Sequence, residues 1–129
     1  MSVIIISATF SWKDGADGAT VGAAHKALAE FAGEIPGVRL CRYSIDEDSR
    51  TSGVLAIYDS PEALHGLFDA LATRGIDIMA AESAVTGLVP GQTFIQGSKE
   101  SLEALATVIH AWGLQPFHTD SQGNAHVAI

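Results

Sequence analysis

The sequence predicts an α+β domain of ferredoxin-like class, with helices on one face of a largely antiparallel sheet. Three observations predict it. Breaker residues and apolar periodicity divide residues 3 to 96 into the order β-α-β-β-α-β, followed by a helix and a hairpin. The first and third apolar segments carry large side chains on both faces, where a half-solvated sheet would alternate. The chain of 129 residues, 47% hydrophobic and 17% charged, suits one globular domain. Residues 1–96 are expected to form the plait, and residues 97–129 a C-terminal extension of the same domain.

Val3 to Trp12 is rich in β-branched and aromatic residues without a breaker, and reads as the first strand. Met1 to Phe10 lacks a basic leader, so it reads as strand rather than signal peptide. Lys13 to Gly18 is a loop, and Thr20 is the expected cap of a helix with apolar residues at 21, 24, 28, 31, 32 and 35. Pro36-Gly37 stops that helix. Val38 to Ile45 and Gly53 to Tyr58 read as a hairpin across an acidic turn. Ser60-Pro61-Glu62 supplies a cap, a first-turn proline and an acid to the second helix, which should end at Arg74-Gly75. Ile76 to Gly87 is ambiguous, its alanines favouring a short helix. Pro90-Gly91 turns the chain into a strand at Gln92 to Gln96. Ser98 begins a helix running to Trp112 and closed by Gly113, and Leu114 to Thr119 and Ala125 to Ile129 read as two short strands. The spacing of Ser60, Glu62, Leu64, Leu67, Leu71 and Gly75 recurs at Ser98, Glu100, Leu102, Leu105, Ile109 and Gly113. A period that occurs once fits shared strand-to-helix grammar better than a repeat array.

The two-faced strands imply a second cover. Ile4, Ile6, Ala8, Phe10 and Trp12 form one face of the first strand, yet Val3 and Ile5 lie on the other. Leu55 and Ile57 similarly oppose Val54, Ala56 and Tyr58 on the third. Each buried Val- or Ile-sized side chain contributes roughly 1.5–3 kcal/mol, so a few per subunit favour a homodimer of facing sheets. The alternative cover is internal, with the C-terminal helix and hairpin folded over the open face.

Composition excludes several partners. The formal net charge is −8, with seven basic residues against fifteen acidic ones. Such a chain repels nucleic-acid phosphates and anionic membranes. No apolar run approaches the ~20 residues of a membrane span. A single cysteine, Cys41, cannot close an internal disulfide, which fits the cytoplasm, and its apolar strand suggests a buried inert thiol.

Glu34 to Asp46 (EIPGVRLCRYSID), followed by Leu55 to Leu64 (LAIYDSPEAL), resembles the dimeric α+β barrel superfamily, in particular antibiotic-biosynthesis-monooxygenase-like domains. The shared features are a Pro-Gly after the first helix, an aromatic strand, an acidic turn, and a strand ending in an aromatic before Ser-x-Glu-Ala-Leu. The resemblance spans about residues 2 to 96 and implies a homodimer with a pocket between each sheet and its helices. Some such domains oxidise polycyclic phenols or quinols with oxygen and no bound cofactor, and some cleave haem. Tyr58 stands where the family commonly has Trp, which makes it a pocket aromatic by resemblance. Many members carry a histidine in the second helix where this chain has Leu67 to Ala70, so haem ligation lacks that residue. The stretch from Gly97 to Ile129 lies outside the usual domain.

The candidate chemistry follows. His25 lies beside the apolar face of the first helix, as a pocket base or as a boundary histidine with a satisfied hydrogen bond. Trp12, Tyr43, Tyr58 and Phe68 either line an aromatic pocket for a planar small molecule or pack as core. Arg39 and Arg42 have opposite parity, so one either faces the interior, to pair with Asp59 or hold an anionic substrate, or stays at an edge. His65 and His110 point away from their apolar stripes. His118 and His126 are expected on opposite faces, and no residue group has metal-ligand spacing, so no metal is expected. No phosphate-binding loop, dinucleotide fingerprint or nucleophile elbow is present. Two functions fit: a cofactor-free monooxygenase-like enzyme using His25, Tyr58 and an arginine, or a non-catalytic dimeric small-molecule-binding or accessory protein.

Overall fold

Alternating apolar side chains, punctuated by capped helix starts and glycine turns, set eleven elements among the residues that the computed structural model describes, 3–127. They are β1 (Ile4–Trp12), α1 (Gly18–Gly33), β2 (Val38–Asp46), β3 (Thr51–Tyr58), α2 (Pro61–Arg74), α3 (Ile76–Val85), β4 (Thr86–Gly97), α4 (Lys99–Ala104), α5 (Ala106–Trp112), β5 (Gln115–Thr119) and β6 (Ala125–Val127). Ala128 and Ile129, expected to end the last strand, and Met1 and Ser2 lie outside the described residues.

The strands form one sheet in the order β2-β3-β1-β4-β5-β6. Neighbours are antiparallel except β4 and β5, which run parallel. The first four strands with α1 and α2 make the ferredoxin-like plait that the sequence predicts. The extension continues the sheet beyond β4 and places α4 on the helix side. Leu102, Leu105 and Leu114 enter the same core as Ile4, Leu64 and Ile95. The extension therefore widens the open face instead of covering it.

Side-chain parity follows from the register. Ile4, Ile6, Ala8 and Phe10 pair with Tyr58, Ala56, Val54 and Ser52, and this set faces the helices. Cys41 and Tyr43 pair with Ala56 and Val54 on that same face. Ile5, Leu55, Ile57 and Phe94 lie on the opposite face, which no helix covers among the described residues, and Leu55 remains 45% exposed.

Three local differences from the sequence expectation have physical causes. The cap of α1 is Asp17, not Thr20: the Asp17 carboxylate accepts from the Thr20 amide at 2.7 Å, so the helix begins one turn earlier. β4 begins at Thr86, not Gln92, because Pro90-Gly91 forms an irregularity within the strand instead of ending it. Leu88 pairs with Phe10 and Thr93 with Ala8, leaving the residues between them outside the ladder. The helix after Ser98 breaks at Leu105, which has left helical geometry and is fully buried. Gly37 holds the turn between α1 and β2 at φ +87°, where a Cβ would stand 2.6 Å from that of Ala63.

Candidate functional site

The Asp17 cap phases α1 so that Val21, Ala24, His25 and Leu28 all turn toward the sheet. His25 thus lies within the apolar face, not at its boundary, and is 2% exposed. From β2, Tyr43 stacks on the imidazole with ring centroids 4.2 Å apart and planes 11° from parallel. Phe10 of β1 approaches the same ring at 6.0 Å. From α3, Glu82 reaches His25 Nδ1 with Oε1 at 2.7 Å. Glu82 is itself 4% exposed. Neither His25 Nε2 nor Glu82 Oε2 has a hydrogen-bond partner among the described residues. A buried imidazole paired through one nitrogen and bare at the other is a fitting arrangement for proton transfer.

The surroundings are apolar enough to keep the neighbouring thiol and phenols neutral. The Cys41 thiol is pushed up to about 11 by burial and then by the Glu82 charge. Tyr43 and Tyr58 are raised above the ordinary phenol value, in both cases chiefly by burial. These hydroxyls are proton donors, not anions, near neutral pH.

The other expected site residues separate into distinct settings. Tyr58 is buried in the main core, four residues along β3 from Val54, the partner of Tyr43. Trp12 is buried and donates from Nε1 to Ser52 Oγ at 2.8 Å, while the Arg50 guanidinium lies 5.4 Å above its ring. Its indole is thereby satisfied within the fold. Arg39 sits at an irregularity in β2 and pairs with Asp59. Arg42 pairs across with Leu55 and so shares the open face, away from His25. Phe68 stacks on Trp112 at 5.1 Å, joining α2 to the extension. The structure brings His25 and Tyr43 together and places Trp12, Arg39, Arg42 and Phe68 elsewhere.

Glu82 escaped sequence reasoning. The segment Ile76 to Val85 has no clear apolar face, and the available signal was a lone carboxylate within Met79 to Val85. The expected orientation of His118 and His126 was also incorrect. The Asp120 carboxylate accepts from the amides of Gln122 and Asn124 and shapes a turn that sets these histidines directly opposite each other. Their rings stack at 5.3 Å, and His126 Nε2 lies 2.8 Å from Asp120 Oδ2. That bond and the amides hold Asp120 down at about 2. Among the described residues, no three His, Cys, Asp or Glu side chains gather as metal ligands. No helix there is long and apolar enough to cross a membrane.

An open groove of about 830 Å³ lies in the extension. Its apolar lining includes Leu102, Ile109 and Leu114, and its polar groups are Lys99, Glu103, His110 and His118.

Comparison with known proteins places the fold. No family profile matches the sequence, and no curated protein matches it. Among solved structures, the chain is similar to MupZ from Pseudomonas fluorescens, with TM-score 0.74 and 15% identity over 94% of this chain and 88% of that one. That coverage is too long to fall within residues 3–96, so the likeness continues into the extension. SnoaB, a cofactor-independent oxygenase from Streptomyces nogalater, matches with TM-score 0.60 and 15% identity over 74% of this chain and 91% of that one. A dimeric ferredoxin-like protein of unknown function from Thermobifida fusca matches with TM-score 0.54 and 19% identity over 68% and 88%. The chain has the fold of the dimeric α+β barrel superfamily, to which the sequence resemblance pointed.

Proposed function

We propose that this fold serves a homodimeric, cofactor-independent monooxygenase-like protein that acts on an aromatic or quinonoid small molecule between the sheet and its helices. The observation that carries the reading is the His25 imidazole, buried, stacked on Tyr43 and unpartnered at Nε2. His25 takes a proton from an acidic C–H or O–H of the substrate, and the electron-rich anion passes electrons to dioxygen. A C–O bond forms and the O–O bond breaks as the same carbon gives up a second hydrogen, so that the substrate, which supplies all four electrons, ends as a carbonyl and the other oxygen leaves as water with the proton that His25 returns. Tyr43 offers a flat aromatic surface, and Tyr58 a hydroxyl kept protonated by burial. SnoaB, with the same fold, supports the absence of a cofactor from this scheme. The apolar open sheet face and the dimeric relative support the homodimer. The cytoplasm suits the free Cys41.

Oxygen uptake tests the reading, with a panel of hydroquinones and flavonoid-like phenols. The wild-type chain is expected to consume oxygen with at least one of them, and His25→Ala to lose about 100-fold or more of that rate. No uptake above buffer, together with no thermal shift by any panel member, leaves the reading without support. A second reading, non-catalytic binding of a small molecule, is favoured by the open groove of the extension. A thermal shift abolished by filling that groove with Ala106→Trp and indifferent to His25→Ala selects it.

A further inference from the structure

We infer that Glu82 is a positioning residue that keeps the proton of His25 on Nδ1 and leaves Nε2 as the nitrogen that receives the substrate's proton. The inference rests on the reading of His25 as the base.

With Glu82 as the acceptor, the 2.7 Å contact runs from Nδ1–H to Glu82 Oε1. With Nδ1 committed, the second nitrogen holds either a lone pair or a buried N–H without an acceptor. A buried donor left unpaired is the more costly state, so the lone pair is favoured. Tyr43 lies parallel to the ring and restrains its plane. When Nε2 takes a proton, the imidazolium forms beside a carboxylate that is already in place. Glu82 makes no salt bridge to a lysine or arginine among the described residues, and His25 is its ion-pair partner there. The titratable groups of β2 near the pair, Cys41 and Tyr43, hold their protons through burial and do not compete. The pair is also unusual in origin: 57 residues separate its members, and only the packing of α1 against α3 joins them.

The test uses the imidazole nitrogen NMR spectrum of the full chain at neutral pH, with the His25 signals assigned by their loss in His25→Gln. The wild type is expected to show the Nδ1–H tautomer. Glu82→Gln, whose amide can donate as well as accept, is expected to lose that preference, and Glu82→Asp to retain part of it. With any phenol that gives oxygen uptake, Glu82→Gln should lower kcat about 10- to 100-fold, with KM changed less than about twofold. Glu82→Asp should restore part of kcat. An Nε2–H tautomer in the wild type overturns the inference, and so does a Glu82→Gln spectrum identical to it. If no phenol is oxidised, the functional reading fails while the tautomer still decides the role of Glu82. If Glu82→Gln does not fold, the wild-type and Glu82→Asp spectra decide it.

Discussion

Burial governs the titratable side chains on the helix side of β2 and β3, and it gives them a common pH dependence. The Cys41 thiol rises from 9.0 in the free side chain to about 11, because burial disfavours the thiolate. A group raised in the folded state stabilises that state fully below its unfolded value and ceases to do so above its folded value. The urea midpoint should therefore fall as pH rises from 9.0 through about 11, a direction that Tyr43 and Tyr58 share. In the native chain Cys41 should resist iodoacetamide at pH 9, where the urea-unfolded chain reacts. A midpoint that rises over this window contradicts the apolar setting of the site. Gly37 is a second sensitive position. Gly37→Ala combines a positive φ with a close contact at Ala63, and should cost about 1–3 kcal/mol in urea unfolding. Tyr43 and His25 were legible as candidates because aromatic and imidazole side chains stand out in a sequence. Their meeting was not, because it depends on the depth of α1 and on a carboxylate from a distant helix.

Elements with strong local grammar were readable in detail, and those set by tertiary packing only in outline. The Ser60 cap and Pro61 fix the start of α2 within four residues, and Gly113 closes α5 in left-handed geometry. By contrast, α3 lacks a distinct apolar stripe, and its helicity depends on α1 and α2 beside it. The break at Leu105 arises because Leu102 and Leu105 are drawn into the core while α5 keeps no fully buried residue. The start of α1 was misjudged by one turn because Asp17 and Thr20 both have capping side chains. Asp17→Ala should cost about 1 kcal/mol of stability, whereas Thr20→Ala, which keeps the amide that Asp17 caps, should cost less than half of that. Equal losses, compared by urea midpoint, would move the cap back to Thr20.

The extension alters the surface on which the whole molecule depends. A tail folded across the sheet would have hidden its apolar side and explained the two-faced strands internally. Instead β5 and β6 prolong the sheet, and Phe117 joins Phe94 on the open face with ring centroids 5.8 Å apart. Arg42, once a candidate substrate ligand, belongs to that face too. Strand parity made this two-sidedness legible in the sequence. The course of the extension was not, since short strands and a broken helix specify no docking side. Leu55, Phe94 and Val127 remain 45%, 37% and 59% exposed. Their continuity with Ile5 and Ile57 makes a patch that a second sheet would cover. The direct measurement is the solution mass of the full 129-residue chain by light scattering after size exclusion, alongside Leu55→Glu. The account predicts twice the chain mass of 13.5 kDa for the wild type and the single-chain mass for a folded Leu55→Glu. A wild-type chain that runs at 13.5 kDa at micromolar concentration would contradict it.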